Sequence, residues 1–527
     1  MHMRKLLAAA LVLSGATLWA TDYLTEGVDN GRTGWMKDEK IFTTTNVKDM
    51  KLLWRVKLAE STPREMHNLF SPLIVERVTT AQGPKEIGLV AGVSDDLWGI
   101  DVATGQTLWH RRFDSTFTPP PGGRGGGTLC PGGQTAVPVI APAAAAGNYT
   151  VYAVSWDGRL RQLNLADGKD LAPAEKFVPA NGKPYALNLW NGTIYTATAQ
   201  GCGGVTNGFY SFDLATRKSS VFIPAGGGLW GRRGVSISPE GHAYLGTGDA
   251  PFAPATRSLG NAIVAVKLDA NKALQLADYF APPNANFMWR RDLDQNVTPM
   301  AFDYQGKKFL VSSSKECRVW VLDRDSLGGE DHRTSLYTSP LICNDDQGWD
   351  GKGVWGALAA WQQNGAQWIA VPFWGPVSRT FKAPIEHGRP KWGGVAALKL
   401  EQKAGKWELT PAWLSRDMDM AEEVTVANGV LFTYGAGEDT TQVVQDRAWD
   451  EPAGPRLGGG LSSGAARRIP GGRRATLYAL DAVTGRQLWT SGEQIDTWNH
   501  FSGLTVANGR VYLGTFDGVL YSFGVPR

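Results

Sequence analysis

The cysteines, the residues with the most reactive side chains, are few and widely spaced. The chain has 4 of them, at Cys130, Cys202, Cys317 and Cys343. This spacing is too wide for a zinc cluster or for the covalent attachment of haem. An even number suits an oxidising compartment and permits up to two disulfides. The spacing leaves the pairing open, and a Cys317–Cys343 bridge is the first expectation.

The sequence shows none of the motifs that hydrolytic enzymes use for a nucleophile or a catalytic zinc ion. None of the 7 histidines pairs with another at a metal-ligand spacing. Neither a strand-turn-helix nucleophile elbow nor a zinc-binding helix is recognisable. The sequence therefore gives little support to a hydrolytic enzyme.

The N-terminus has the pattern of an export signal. Residues 1–20 place two cations before the apolar run Leu6–Leu13 and end in small residues. This pattern predicts a secretory signal peptide, because the run is too short to cross a membrane. We expect cleavage after Ala20, with Ala16 as the alternative site and a buried first helix as the competing interpretation. No later stretch predicts a membrane span, so the mature protein is expected to be soluble and periplasmic or secreted.

Composition narrows the fold class. The 527 residues include 64 Gly, 29 Pro and 21 Trp. Such a composition favours many short strands joined by tight turns, and radial repetition lets one domain reach this size. Lysine and arginine number 53 against 50 acidic residues, so no basic surface for nucleic acid is indicated.

Internal repeats predict the elements that must position any site. Two stretches, Leu97–Trp109 and Leu477–Trp489, carry Leu, Asp, Thr, Gly, Leu and Trp at the same offsets. Each indicates a strand, an Asp-x-x-Thr-Gly turn and a second strand, since Asp caps the turn and Gly supplies a positive φ. The closing Trp is expected to wedge between neighbouring sheets.

Weaker copies of this unit fill the rest of the chain. They occur at Leu160–Gly168, Phe209–Thr216, Ile263–Asp269, Val319–Arg324, Val395–Leu400 and Leu520–Phe523. The last copy lacks a following strand, and a lone strand, Lys51–Leu58, lies near the N-terminus. Pairing these two would close a ring and remove the exposed edges. We therefore predict an all-β, eight-bladed β-propeller of four-stranded antiparallel blades over residues 21–527, or seven blades if one weak copy is not a blade.

One segment interrupts the repeats. Residues 437–474 are rich in Gly, Pro, Ser and charge, and we predict a long loop inserted in the seventh blade. A surface loop and a lid over the central funnel are both compatible with this composition.

The Asp-x-x-Thr-Gly-x-x-Leu-Trp repeat resembles that of the pyrroloquinoline quinone (PQQ) dehydrogenases, the quinoprotein methanol and alcohol dehydrogenases. The repeat also occurs in non-catalytic relatives such as the outer-membrane assembly-factor propeller. The resemblance covers essentially the whole mature chain. It implies a quinone stacked on a Trp in the central funnel, a calcium ion that bridges it to carboxylate and amide groups, and an Asp as base.

Individual positions match this pattern. Gly226–Gly231 and Tyr244–Asp249 resemble the segment with the stacking Trp and a calcium ligand, which implies those roles for Trp230 and Asp249. An indole face suits a flat quinone, and a carboxylate suits a hard cation. The alternative for Trp230 is ordinary packing between blades.

The segment Arg291–Pro299 and the strand after it resemble the region with the base and a cation. Asp292 matches the base, with Asp294 as the near alternative, and Lys315 matches the residue that touches the quinone carbonyls. An Asp can accept an alcohol proton while an ammonium stabilises the developing oxyanion. Alternatively, Asp292 and Lys315 are paired charges at a propeller mouth.

Two further residues have weaker matches. Arg124, in a glycine-rich stretch, corresponds to an arginine that binds a quinone carboxylate, although that stretch could equally be a flexible turn. Trp355 resembles an aromatic of the funnel from the sixth blade.

The sequence also departs from the catalytic family. No two cysteines are adjacent, whereas these alcohol dehydrogenases usually carry a Cys-Cys pair over the quinone. The calcium-binding Glu is expected near Gly203–Asn207, where no carboxylate occurs. There is no haem motif, so electrons would leave to a separate acceptor. Two hypotheses follow: a PQQ-dependent oxidoreductase for an alcohol-type substrate, or a scaffold propeller that binds a protein partner.

Overall fold

The predicted eight-bladed propeller is the fold of the chain. The computed structural model describes residues 21–59, 69–93, 95–113, 130, 136–224, 227–248, 250–348, 351–438 and 472–526. Within these residues, eight mainly antiparallel sheets of four or five strands follow one another along the chain. Helical structure in the same residues amounts to one α-helix, Ala285–Arg290, and three 3-10 turns, Val47–Asp49, Pro254–Thr256 and Gly329–Asp331.

The first four blades occupy the N-terminal half of the chain. Blade 1 contains Leu73–Thr80, Gly83–Gly92, Asp96–Asp101 and Thr107–Arg112. Blade 2 contains Val139–Pro142, Tyr149–Val154, Arg159–Asn164 and Asp170–Lys176. Blade 3 contains Asn188–Trp190, Thr193–Ala197, Phe209–Asp213 and Lys218–Phe222. Blade 4 contains Leu229–Trp230, Ser236–Ile237, Ala243–Thr247, Ile263–Leu268 and Leu274–Phe280, with a side ribbon of Phe252–Ala253 and Ser258–Leu259.

The other four blades complete the ring. Blade 5 contains Met300–Tyr304, Lys307–Ser313, Val319–Asp323 and Tyr337–Thr338. Blade 6 contains Ala359–Gln363, Ala366–Trp374, Gly393–Lys403, Lys406–Leu414 and the parallel edge strand Ile385–Glu386. Blade 7 contains Ala421–Ala427, Val430–Gly435, Thr476–Asp481, Gln487–Thr490 and the parallel strand Trp35–Met36. Blade 8 contains Thr505–Ala507, Arg510–Gly514, Val519–Gly524 and the N-terminal strand Lys51–Lys57.

The ring closes as the sequence predicts. The strand Lys51–Lys57 pairs antiparallel with Val519–Gly524, with Val56 opposite Leu520. The two ends of the chain therefore share blade 8, which leaves no open edge at the seam.

The repeated motif forms the hairpin between the third and fourth strands of a blade. In blade 7, the Asp481 carboxylate accepts hydrogen bonds from the backbone N–H groups of Val483 at 3.0 Å and Thr484 at 2.9 Å. Gly485 then adopts a φ of +72°. Both roles follow from the residue types, because Asp bonds locally to the turn and Gly tolerates the left-handed conformation.

The closing Trp joins neighbouring blades, as expected. Trp413 of blade 6 donates from Nε1 to the carbonyl of Ala482 in blade 7 at 3.1 Å, and its ring packs on Gly485. Trp109 of blade 1 likewise donates to Leu165 of blade 2 at 2.8 Å. Each Trp thus buries apolar surface between blades while its N–H is satisfied.

The segment 21–36 runs around the inner strands of the ring, which the sequence analysis did not predict. Backbone hydrogen bonds to blades 2, 5 and 7 run from Ile140 N to Leu24 O (2.9 Å), Ala301 N to Gly31 O (2.9 Å) and Val426 N to Gly34 O (2.8 Å). Within the segment, the fully buried Arg32 donates to Val235 O at 3.1 Å and to Leu187 O at 2.8 Å. The segment therefore fills part of the central channel.

Two features of the predicted domain organisation fall largely outside the described residues. The predicted signal peptide, 1–20, is one of them, and 439–471 of the predicted insertion 437–474 is the other. The strands on either side of that insertion, Val430–Gly435 and Thr476–Asp481, pair with each other in blade 7. Across the described ranges, no helix has the length and apolar character needed to span a bilayer.

Candidate functional site

Four of the predicted site residues lie at the ends of strands in blades 4 to 6. Trp230 ends a short strand of blade 4, and Asp292 follows the α-helix that leads into blade 5. Lys315 lies just beyond the second strand of blade 5, and Trp355 precedes the first strand of blade 6. The fold brings the other three side chains together around the Lys315 cation.

Lys315 is the centre of this group. Its Nζ donates to Asp292 Oδ1 at 3.0 Å and to Asp294 Oδ2 at 2.6 Å. The same Nζ lies 4.5 Å from the ring centroid of Trp355 and 6.0 Å from that of Trp230. The side chains of Lys315 and Asp294 are 7% and 1% exposed, whereas that of Asp292 is 43% exposed. Asp292 is thus the carboxylate of the pair that a ligand can reach.

The backbone around Lys315 is fixed by long-range contacts. Asn344 donates from Nδ2 to the Lys315 carbonyl at 2.7 Å. The neighbouring Cys343 forms a disulfide with Cys317, which confirms the expected pairing, and the second disulfide joins Cys130 to Cys202. The Cys317–Cys343 bridge therefore ties the strand with the cation to the loop that supports it.

Asp292 adopts a left-handed backbone conformation. Its φ of +57° is one that Asp tolerates better than most residues, and several other described non-glycine residues share a positive φ. The Asp292 N–H donates to the Trp289 carbonyl at 3.2 Å, so the turn after the helix holds this conformation.

The electrostatics of the site raise the pKa values of both Asp292 and Lys315. Burial raises the pKa of Asp292 from 3.8 to about 7, while Lys315 opposes this shift and Asp294 adds to it. Burial alone would lower the pKa of Lys315, but the two carboxylates outweigh it and raise the pKa. Asp292 is thus packed among protein atoms even though 43% of its side-chain surface is accessible. A carboxyl that titrates near neutrality can both accept and release a proton.

Aromatic rings line the site on the side of blade 6. Trp355 stacks on Trp374 with ring centroids 5.1 Å apart, and Trp374 stacks on Phe501 at 5.5 Å. Trp230 is half-buried, and its Nε1 has no hydrogen-bond partner among the described residues. Trp230 therefore does not make the interblade hydrogen bond of the repeat tryptophans, although its ring flanks Lys315.

Two predicted site residues, Arg124 and Asp249, lie outside the described residues. The residue before Asp249, Gly248, packs directly on the Asp294 carboxylate, with no room for a side chain. The chain therefore passes this site immediately before Asp249.

The described residues do not complete a calcium site. Asn207, the amide in the stretch where a glutamate is expected, accepts from Gly201 N at 3.0 Å and donates to Gly227 O at 3.1 Å. Its amide therefore braces two loops. The two aspartates are paired with Lys315, so they do not form an open set of oxygen ligands.

Sequence reasoning missed two cations of the central region. Lys183 is buried, and burial together with the charge of Arg232 lowers its pKa to about 8. Arg232 lies over the ring of Phe501, 5.1 Å from its centroid. Within the described residues neither cation makes an ion pair at salt-bridge distance, so both could receive an anionic ligand. No repeat or motif marks either residue, because their proximity arises only when blades 3 and 4 pack.

Comparisons with known proteins agree with this architecture. Residues 393–525 match the family model described as outer membrane protein assembly factor BamB. Among solved structures, the chain is similar to quinohemoprotein alcohol dehydrogenase from Comamonas testosteroni, with a TM-score of 0.55, 16% identity, and coverage of 96% of this chain and 80% of that chain. A europium-containing methanol dehydrogenase gives a TM-score of 0.54, 13% identity, and coverage of 95% and 98%.

A quinohemoprotein alcohol dehydrogenase from Pseudomonas putida HK5 is a further match, with a TM-score of 0.54, 12% identity, and coverage of 96% and 80%. No curated protein matches the chain. The predicted quinoprotein-type repeat propeller is thereby confirmed as a fold.

Proposed function

We propose that this protein is an exported quinoprotein that binds PQQ in the central funnel and oxidises an alcohol-type substrate. The observation that carries the proposal is the convergence of Asp292, Lys315, Trp230 and Trp355, which come from three blades. These are the positions that the family resemblance assigns to the base, the cation and the aromatic walls. A chance arrangement of paired charges would not require two indole rings at the same ammonium.

Each residue has a defined part in this proposal. Bound PQQ would supply the two-electron acceptor, and its electrons would pass to a separate acceptor protein or molecule. Asp292 would accept the hydroxyl proton of the substrate, since its carboxyl is accessible and its pKa is about 7. Lys315 would hold Asp292 in place and stabilise negative charge on a bound oxygen.

The anionic groups of the quinone also have candidate partners. Lys183 and Arg232 would bind carboxylates, together with Arg124 as the resemblance implies. Asp249 is the calcium ligand that the resemblance assigns. The described residues leave the calcium site incomplete, so the proton transfer proposed above involves side chains alone. PQQ binding is therefore tested both with and without calcium.

A scaffold without the cofactor is the second candidate function. It is favoured by the match of residues 393–525 to an assembly-factor family and by the absence of adjacent cysteines. In that case the funnel or a blade edge would bind a protein partner.

Titration of the mature protein with PQQ, with and without calcium, tests the two functions. We expect saturable quenching of tryptophan fluorescence, and Trp230→Leu should weaken PQQ binding by about tenfold or more, because aromatic stacking contributes about 1–3 kcal/mol. Trp392→Leu removes a tryptophan that is 59% exposed and is the matched control.

Turnover with an artificial electron acceptor provides the second readout. Asp292→Asn should retain PQQ binding and lose at least about 100-fold in rate, as for loss of a general base. If PQQ causes no saturable quenching at concentrations that saturate a known quinoprotein, the enzyme proposal is wrong, and the scaffold function should be pursued by affinity capture of partners.

A further inference from the structure

A second group of ionisable side chains lies where blades 7 and 8 meet. It consists of Glu422, Glu438 and His500, and one ligating atom of each lies within 4.8 Å of those of the other two. All three side chains are buried. Glu422 lies in the first strand of blade 7, Glu438 follows the second strand, and His500 precedes blade 8. None of these residues belongs to the Lys315 site.

Neighbouring groups orient these side chains. Glu422 Oε2 accepts from the Tyr434 hydroxyl at 2.6 Å and from the Phe501 N–H at 2.9 Å. The other oxygen, Oε1, has no hydrogen-bond partner among the described residues. His500 Nδ1 lies 2.6 Å from Glu438 Oε2. One oxygen of Glu422 is thus held by donors while the other is left for a ligand, as in carboxylates whose outer partners orient them for a metal.

The adjacent Glu423 has a cationic partner, whereas Glu422 has none at ion-pair distance among the described residues. Glu423 is equally buried, and it pairs with the buried guanidinium of Arg233 at 2.8 Å. Glu422 has no lysine or arginine at ion-pair distance in the described part of the chain, and burial raises its pKa to about 7. Buried carboxylates in proteins are normally paired with a cation or bound to a metal.

We propose that Glu422, Glu438 and His500 bind a divalent transition-metal ion, with Zn²⁺ as the first candidate. One imidazole and two carboxylates are nitrogen and oxygen donors of the type that Zn²⁺ accepts. Ligands at about 2.1 Å from the ion lie up to about 4.2 Å apart, so small side-chain movements would bring the three donors into place. With three ligands from the described residues, tetrahedral coordination would have a fourth position for a further ligand.

The position of this site means that a bound ion would also hold two blades together. The ligands come from two strand ends of blade 7 and from the loop into blade 8, so a bound ion would cross-link the seam between these blades. The His500 ring also packs 4.3 Å from Phe501, the last ring of the stack that begins at Trp355. The ion would therefore lie at the opposite end of this stack from Lys315.

Metal-free protein titrated with Zn²⁺ by calorimetry tests the site without any quinone. We expect one equivalent of Zn²⁺ to bind and to raise the unfolding temperature. Glu422→Gln and His500→Asn should each weaken binding by at least about 100-fold, because even outer partners of a ligand change affinity by about 10–100-fold. Glu316→Gln, a change at a buried carboxylate that accepts from Asn284 at 2.8 Å, is the control and should bind Zn²⁺ normally.

Near-UV circular dichroism without metal establishes that each variant is folded, and Glu438→Gln replaces any variant that is not. Wild-type protein loaded with Co²⁺ should show visible d–d bands without a sulfur charge-transfer band. The proposal is overturned if wild-type protein binds no Zn²⁺, or if both Glu422→Gln and His500→Asn bind it as tightly as wild type. It is also overturned if Asp292→Asn abolishes binding, because the ion would then lie at the Lys315 site. Failure of PQQ binding would leave this result unaffected.

Discussion

Carboxylates in the outer turns of the blades and in the central funnel have opposite properties. In the blade 3 turn, Asp213 accepts from the Thr216 N–H at 2.8 Å, and this bond together with Lys272 lowers its pKa to about 2. In the funnel, burial raises the pKa of Asp292 to about 7. The same side chain is thus a fixed anion in one region and a group that can exchange a proton in the other.

The difference lies in burial and hydrogen bonding. Asp213 accepts from the Thr216 N–H and hydroxyl in its own turn, and Lys272 of blade 4 lies 3.0 Å from its Oδ2. Asp292 is paired with Lys315, but burial and the neighbouring Asp294 raise its pKa. Turn donors and a partly exposed cation thus hold a carboxylate as an anion, whereas burial beside a second carboxylate can hold a carboxyl with a pKa near neutrality.

Removal of the funnel cation should have the largest effect. Lys315→Met leaves the buried Asp294 without its cation and should lower the free energy of unfolding by about 3–5 kcal/mol. Lys307→Met, at the start of the strand that leads to Lys315, breaks the more exposed pair with Asp323 and should cost about 1 kcal/mol or less. Urea denaturation measures both variants. Equal losses would show that the funnel pair is no more important for stability than an outer one.

A change in an outer turn should have an intermediate effect. Gly485→Ala introduces a side chain at φ +72° whose Cβ would lie 2.5 Å from the Trp413 ring. The backbone conformation costs about 1 kcal/mol and displacement of the ring about 1–3 kcal/mol more. Gly492→Ala has a φ of +55° but no atom within 4 Å, so it isolates the backbone cost. If thermal unfolding gives the two variants the same stability, the turn glycine does not serve interblade packing.

The smallest expected effect is on how stability depends on pH. This dependence should differ in direction between Asp292 and Asp213. The folded pKa of Asp292 lies above its ordinary 3.8, so its stabilising contribution is present below about pH 4 and lost as the pH rises through about 7. The folded pKa of Asp213 lies below 3.8, so its contribution is present above about pH 4 and lost as the pH falls towards about 2.

Unfolding free energies of Asp292→Asn and Asp213→Asn, measured against wild type across this pH range, check both directions. Asp292→Asn should flatten the profile between about pH 4 and 7, and Asp213→Asn should flatten it below about pH 4. Parallel profiles for all three proteins would contradict the contrast between the two regions.

Much of the candidate site was predictable because short segments around its residues resemble those of the quinoprotein dehydrogenases. Asp292, Lys315, Trp230 and Trp355 were predicted from that resemblance, and the structure brings them together. The roles predicted for all six residues, including Arg124 and Asp249, stay predictions. Lys183 and Arg232 could not be predicted, since a single cation in a loop has no periodic pattern.

The sequence by itself determined the blades, the closure of the ring and the Trp wedges. Alternating strands, Asp-Gly turns and a Trp at a fixed offset act over about ten residues, so each repeat specifies its own hairpin. Only the tertiary structure decided the path of residues 21–36 through the channel and the meeting of Glu438 with His500, which are 62 positions apart. Burial and ion pairing depend on distances that exist only after eight blades have packed. Those distances decide which carboxylates can bind a metal ion and which can exchange a proton.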